Sequence, residues 1–212
     1  MQNSSAPKAT EIIFATGNKA KLSQAEFVAE QMGIALKVLN GKKLYGDDVE
    51  YDEIGESTEA IARDGALNVA KRIGKPVIAE DTDFCADALN GFPGIRGGLF
   101  LKTFGRAALH KMMAGQENRV CTITSSCCYA TPEGEVHCET RTIKGTMAEV
   151  EKFDPSFPDW VGPGSHPFGG GYSSIFIPDG ETRTLGEISP EEALKWGYRE
   201  QTLSAIFKHL TK

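Results

Sequence analysis

Hydrophobic positions change their period several times along the chain, and each change marks an element. Glu11 to Thr16 (EIIFAT) is a short apolar run that predicts a strand, broken by Gly17-Asn18. Leu22, Ala25, Ala29 and Met32 then recur at helical spacing. Leu36 to Leu39 suits a second strand. From Ser57 to Ile73 the apolar positions Ala62, Ala66, Val69, Ala70 and Ile73 again predict a helix, which Gly74 ends, and Pro76 to Ala79 predicts a central strand. Leu99 to Met113 reads as another helix. Val120 to Ala130 and Glu135 to Thr146 flank a Pro-Glu-Gly turn and predict a long hairpin. Ser173 to Pro178 reads as a short strand. Ser189-Pro190-Glu191-Glu192 is a helix start with a capping serine and proline at the first position. That last helix is expected to bury Trp196, Leu203, Ile206, Phe207 and Leu210, with Gly197 inside it.

Alternating α and β with a hairpin predicts a mixed central sheet with helices on both sides. No repeat or long linker divides the chain. Residues 1–10 are expected to be a flexible polar lead, and 11–212 a single domain. The lead has no apolar signal core, and no apolar run approaches the roughly 18 to 20 residues of a membrane helix.

Charge and cysteines narrow the picture. A net charge of −6 argues against a nucleic-acid polymer as partner, which calls for a basic footprint, but permits a small phosphate ligand in a locally basic pocket. The five cysteines lack metal-ligand spacing, and the adjacent Cys127 and Cys128 would face opposite ways on a strand. They are read as reduced, mostly buried thiols in a cytosolic protein.

Four stretches carry chemistry. Thr16-Gly17-Asn18-Lys19-Ala20-Lys21 sits at a strand-to-helix turn, where backbone N–H groups attract anions and lysine adds a point charge. The same residues also suit a plain turn with asparagine capping the helix. Glu80, Asp81 and Asp83 crowd the end of the predicted central strand, where open α/β sheets bind ligands. Carboxylates this close repel one another, so they are either splayed as a solvated loop or gathered around a cation such as Mg²⁺, with Glu50, Asp52 and Glu53 as further candidates. Ser165 to Tyr172 holds three glycines between aromatics, suited to a flat ligand or to a surface loop with Tyr172 in the core. Trp196-Gly197-Tyr198-Arg199 offers an arginine for phosphate or base.

Together these stretches resemble the inosine triphosphate pyrophosphatase family from about Glu11 to Leu210. Thr16, Asn18 and Lys21 match its (S/T)-x-N-x-x-K opening. Glu80-Asp81-Thr82 and Leu89 to Gly94 match its acidic pair and L-x-G-x-P-G run. Gly169 to Phe176 echoes G-F-G-Y-D-P-(I/L)-F, and Ile177 to Gly180 and Leu185 to Glu192 continue the match. The resemblance implies an elongated sheet, two lobes with a cleft, a cytoplasmic homodimer, and Mg²⁺-dependent hydrolysis of nucleoside triphosphates to monophosphate and pyrophosphate. It implies that Asn18 and Lys21 hold phosphates, that Glu53, Glu80 and Asp81 form the metal site, and that Asp81 activates water with Lys21 beside it. Thr16, Thr82, Gly170, Gly171, Tyr172, Ser173 and Arg199 would complete the substrate site.

The departures fall on the side expected to read the base. The family's stacking phenylalanine aligns with Gly170, with Phe168 two residues earlier. Its aspartate after tyrosine is Ser173, and its Ser-His-Arg is Gly197-Tyr198-Arg199. A family lysine aligns with Ala193, with Lys195 nearby, and Asp154 to His166 is an insertion that carries Trp160. The expectation is a pyrophosphatase for non-standard or modified purine nucleotides with altered base specificity. A nucleotide-binding sensor without turnover and a pyrimidine-directed pyrophosphatase are the alternatives.

Overall fold

A computed structural model describes residues 10–163 and 169–211, so residues 1–9 of the expected lead and Phe168 lie outside the described residues. Seven strands form one mixed sheet in the order β2-β1-β3-β5-β6-β7, with β4 paired to β3 off that path. The strands are β1 (Thr10–Phe14), β2 (Leu36–Asn40), β3 (Val77–Ala86), β4 (Pro93–Gly94), β5 (Val120–Ala130), β6 (Val136–Met147) and β7 (Phe176–Pro178). The helices are α1 (Lys19–Gln31), α2 (Gly41–Tyr45), α3 (Thr58–Ile73), α4 (Gly97–Met112), α5 (Pro190–Ala193) and α6 (Tyr198–Leu210). β1 pairs in parallel with β2 and β3, and every other pairing is antiparallel. This is the mixed α/β architecture expected from the alternation of elements.

Period-2 alternation along β3 builds two different faces. Ile78 joins Ile12, Phe14 and Val28 of α1 with Leu203, Ile206 and Phe207 of α6. Val77 and Ala79 join Ala62, Ala66 and Val69 of α3. Further along β3, Phe84 enters a third cluster with Phe100 and Leu109 of α4, Ile123 and Phe176. The core is therefore divided along the strand, with α1, α3 and α6 at one end and α4 at the other.

Four expectations need correction. β3 does not stop at Ala79 but runs to Ala86, because β5 pairs with it over its whole length, from Val77–Ala130 to Ala86–Cys121. Gly197 is not inside the last helix. It caps α6, while α5 ends at Ala193. Ser173–Ile175 is a 3-10 turn, and only Phe176–Pro178 is strand. Cys128 and Cys138 form a disulfide, since the β5–β6 register sets them directly opposite one another. Cys85, Cys121 and Cys127 are free thiols, as expected.

Close backbone approach fixes the sheet's outer edge. A Cβ on Gly145 of β6 would lie 2.1 Å from the Ile177 carbonyl oxygen of β7. Gly145→Ala should therefore lower stability by about 1–3 kcal/mol, measured by urea unfolding. An unchanged midpoint would mean that β7 moves aside freely.

Candidate active site

The site begins where β1 ends. The last parallel pair is Phe14–Ile78, and Ala15 N–H donates to the Ile78 carbonyl oxygen at 2.8 Å. Beyond it, β3 keeps β5 on one side but has no β1 neighbour until β4 joins at Phe84 and Cys85. Glu80, Asp81, Thr82 and Asp83 lie in that gap. The chain meanwhile turns through Thr16 to Asn18 into α1. Asn18 Oδ1 accepts from the N–H groups of Ala20 and Lys21, and Asn18 N–H donates to Thr16 Oγ1. Asn18 is thus the helix cap, and one turn of helix places Lys21 over the gap. Lys21 Nζ donates to the Glu80 carbonyl oxygen at 2.8 Å and lies 2.9 Å from Glu80 Oε2.

Adjacent acids on a strand face opposite ways, and this resolves their crowding. Glu80 points toward α1 and α6, where Arg199 Nε lies 3.1 Å from Glu80 Oε1. Ser125 Oγ donates to the same oxygen at 2.7 Å, and Thr82 Oγ1 donates to it as well. Arg199 also donates to Thr82 Oγ1 and to Gln24 Oε1, at 2.9 and 2.8 Å. Gln24 Nε2 in turn donates to Glu200 Oε1 at 2.5 Å. Burial alone would raise the Glu80 pKa, but the charges of Arg199 and Lys21 and the two hydroxyls hold it well below the ordinary carboxylate range. Glu80 is an ion at any ordinary pH.

Asp81 faces the other way, toward the start of α3. Its register partner is Ser126, which is linked at 2.8 Å to both Thr58 of α3 and Thr140 of β6. Asp81 is 7% exposed, and its Oδ2 is buried without a hydrogen-bond partner among the described residues. Burial pushes its pKa up to about 7; Lys21 opposes that rise, and the negative charges of Glu80 and Glu53 add to it. Tyr51 stands close enough that Asp81, Glu80 and Glu53 add to the rise that burial imposes on its hydroxyl. Its ring packs on Gly65 of α3, where a Cβ would come within 2.6 Å. Glu53 itself is exposed on the segment beside Tyr51. Among the described residues no three acidic, histidine or cysteine side chains already form a metal cluster.

The remaining expected residues divide into two groups. Tyr198 is buried beneath Arg199, whose guanidinium lies 5.3 Å from its ring centroid. Ser173 is also buried and lines a small cavity with Tyr198, Trp160, Gln24 and Glu200. Tyr172 lies in the core, stacked on Phe84 at 4.3 Å, with its hydroxyl donating to the Gly97 carbonyl oxygen. Gly170 and Gly171 adopt φ values of 66° and 55°. Gly170 lies so close to the backbone of Val161 and Gly162 that a Cβ would come within 2.8 Å. Buried Arg106 fastens this loop, donating to the carbonyl oxygens of Gly169 and Gly171 and to Glu151. Lys195 is exposed and outside the cavity lining. Sequence reasoning passed over Gln24, Ser125 and Glu200. Gln24 lies one helical turn beyond Lys21, and Glu200 adjoins Arg199.

Comparison with known proteins places this geometry in context. The Ham1 family model matches residues 12–209. A dITP/XTP pyrophosphatase of Methanopyrus kandleri is 33% identical over 194 residues, covering 91% of this chain and 92% of its own. One from Thermococcus kodakarensis is 30% identical over 193 residues, covering 91% and 92%. The Ham1 protein of Staphylococcus aureus superposes with a TM-score of 0.73 at 21% identity, covering 95% of this chain and 98% of its own. A HAM1 protein of Coxiella burnetii gives a TM-score of 0.75 at 19% identity, with coverages of 95% and 98%. At these identities the two structures establish the fold.

The raised Asp81 pKa makes a signed prediction for the metal-free protein. The stability that goes with the neutral carboxyl is complete below the unfolded value near 3.8 and is lost as pH rises through about 7. Asp81→Asn should therefore stabilise the protein in a chelating buffer by roughly 2–4 kcal/mol at pH 8, and the gain should shrink toward pH 4. Urea midpoints of the two proteins across that range check it. A difference independent of pH would show that folding does not shift the Asp81 pKa.

Proposed function

The chain belongs to the Ham1 family, and on that premise we propose that it is a Mg²⁺-dependent nucleoside triphosphate pyrophosphatase for non-standard or modified purine nucleotides. The observation that carries this reading is the convergence of Lys21 and Arg199 on Glu80, one residue from Asp81, whose buried Oδ2 has no hydrogen-bond partner among the described residues. Two cations gathered on one face suit a polyphosphate, and a carboxyl near 7 suits a general base at neutral pH. The names of the relatives, dITP/XTP pyrophosphatase, agree with this chemistry.

The residues present fit a magnesium ion. Mg²⁺ takes one or two carboxylates together with substrate phosphates, and Asp81 has a buried oxygen with no hydrogen-bond partner and exposed Glu53 near enough to influence its charge. Asp81 and Glu53 would hold the ion. Glu80, the third member of the expected metal set, would join them only by releasing Lys21 or Arg199. Bound there, the ion supplies charge neutralisation on the phosphates.

The chain's own groups would do the rest. Lys21 and Arg199 exchange part of their hold on Glu80 for phosphate oxygens as substrate arrives, and the Asn18 turn brings α1 backbone N–H groups toward the same anion. Asp81 takes a proton from the attacking water, which is aimed at the α-phosphorus; the bond from that phosphorus to the α–β bridging oxygen breaks, and pyrophosphate leaves. In-line phosphoryl chemistry calls for positioning and charge compensation, which this set provides without a covalent nucleophile. The family resemblance adds two further parts to the reading, a cytoplasmic location and a homodimer.

Pyrophosphate release with Mg²⁺ is the test. The wild-type protein should release pyrophosphate from purine nucleoside triphosphates, and chelation should abolish the activity reversibly. Asp81→Asn should lower kcat by about 10²–10⁴ while nucleotide binding survives. Tight binding without turnover in the wild type would replace this reading with a nucleotide sensor.

A further inference from the structure

Arg106 is a buried cation that no step of the phosphate chemistry uses. Gly105, with φ 71° and ψ 172°, interrupts α4 directly before it. The Arg106 side chain is 5% exposed, and a charge so buried is tolerable only with close partners. It meets them on two sides. Nη1 donates to the Gly169 and Gly171 carbonyl oxygens at 3.2 and 2.8 Å, and Nε donates to Glu151 Oε2 at 2.8 Å. The Ser174 hydroxyl donates to that same Glu151 oxygen at 3.0 Å, and Lys152 N–H donates to the Ser174 carbonyl oxygen at 2.8 Å. One planar fork therefore ties both ends of the turn 169–174 to α4 and to the segment after β6.

The turn held in this way leads to the phosphate cluster. Ser173 N–H donates to the Gly170 carbonyl oxygen at 2.9 Å, which fixes Ser173 relative to the clamped glycines. Ser173 lines a small cavity with Tyr198 and stands near enough to act on its hydroxyl. The Tyr198 ring in turn lies 5.3 Å from the Arg199 guanidinium, whose Nε is 3.1 Å from Glu80 Oε1. We propose that Arg106 is a positioning residue for the phosphate site: with Glu151 it sets Ser173 and Tyr198 beneath Arg199, and so fixes where that guanidinium meets a polyphosphate. This rests on the pyrophosphatase reading for the identity of the anion. The effect belongs to binding rather than to proton transfer, since the route ends on Arg199 and Asp81 faces the other side of β3. Lysine would keep the charge of Arg106 but has no fork to span two carbonyls and a carboxylate.

The test separates binding, turnover and stability. Arg106→Lys, Ser173→Ala and the double variant are compared with the wild type. Each is titrated calorimetrically with inorganic tripolyphosphate, assayed for pyrophosphate release from inosine triphosphate with Mg²⁺, and unfolded in urea. Arg106→Lys should bind tripolyphosphate about tenfold more weakly and raise KM about tenfold, with kcat within about twofold. Beside Ser173→Ala the same substitution should change either quantity by no more than about twofold, since the route it acts through is already cut. A purely structural role would lower the unfolding midpoint and leave both quantities where they were. The proposal is overturned if folded Arg106→Lys keeps wild-type affinity and KM, if its loss is undiminished beside Ser173→Ala, or if the wild type binds no tripolyphosphate. If Arg106→Lys does not fold, Glu151→Gln decides by the same measurements: a loss of about threefold supports the proposal and no loss overturns it. Weakened tripolyphosphate binding with no turnover in any of the proteins would remove the pyrophosphatase reading and leave this one standing. Turnover that ignores Arg106→Lys would do the reverse.

Discussion

A single buried carboxylate organises the molecule. Glu80 has a side chain with no solvent exposure in the middle of a strand, and an ion in that position is tolerable only if it is paired and hydrogen-bonded. Lys21 comes from the first turn of α1, Arg199 from the first turn of α6, and Ser125 from β5. Meeting that one charge therefore brings two helix starts and two strands to the same point. The sheet contributes its part by ending β1 at Phe14, which opens the edge of β3 where Lys21 reaches the Glu80 carbonyl oxygen.

The pleat of β3 turns one local sequence into two electrostatic environments. On the α1–α6 face, Lys21 and Arg199 converge on the Glu80 carboxylate, and two cations gathered there attract phosphate. On the α3 face, Asp81 is buried among neutral hydroxyl groups and negative neighbours, and its proton affinity rises accordingly. Separating a permanently ionised acid from an adjacent one that titrates near neutrality is a familiar way to assign different roles to two carboxyl groups. Here the separation costs no extra residues, because side chains i and i+1 of a strand always part.

Much of the fold was legible because local signals and burial agreed. Ser57 and Gly74 bracket α3 as its cap and left-handed stop, and the β5–β6 hairpin lies within a residue of its expected ends. Glu80 to Asp83 were read as leaving the sheet because charge normally marks a loop; the full-length pairing with β5 overrides that local preference. Gly197 was placed in a helix because Ser189 to Pro190 announces a strong start, yet the helix it announces lasts one turn and a second begins after the glycine. The Cys128–Cys138 bridge depended on hairpin register, which composition cannot supply. Lys21, Glu80 and Asp81 stood out as charges at expected element ends, and Arg199 through the motif it shares with the family. Gln24 and Glu200 did not, since their meaning lies in a contact across 176 positions of sequence.

Glu80 positions both Lys21 and Arg199. The most direct test of that role is the steady-state kinetics of Glu80→Gln, which keeps the shape of the side chain and removes its charge, measured together with its unfolding midpoint. With both cations released from their shared anchor, kcat/KM for the preferred triphosphate should fall at least about a hundredfold while the protein stays folded. A folded variant that turns over at close to the wild-type rate would contradict the account.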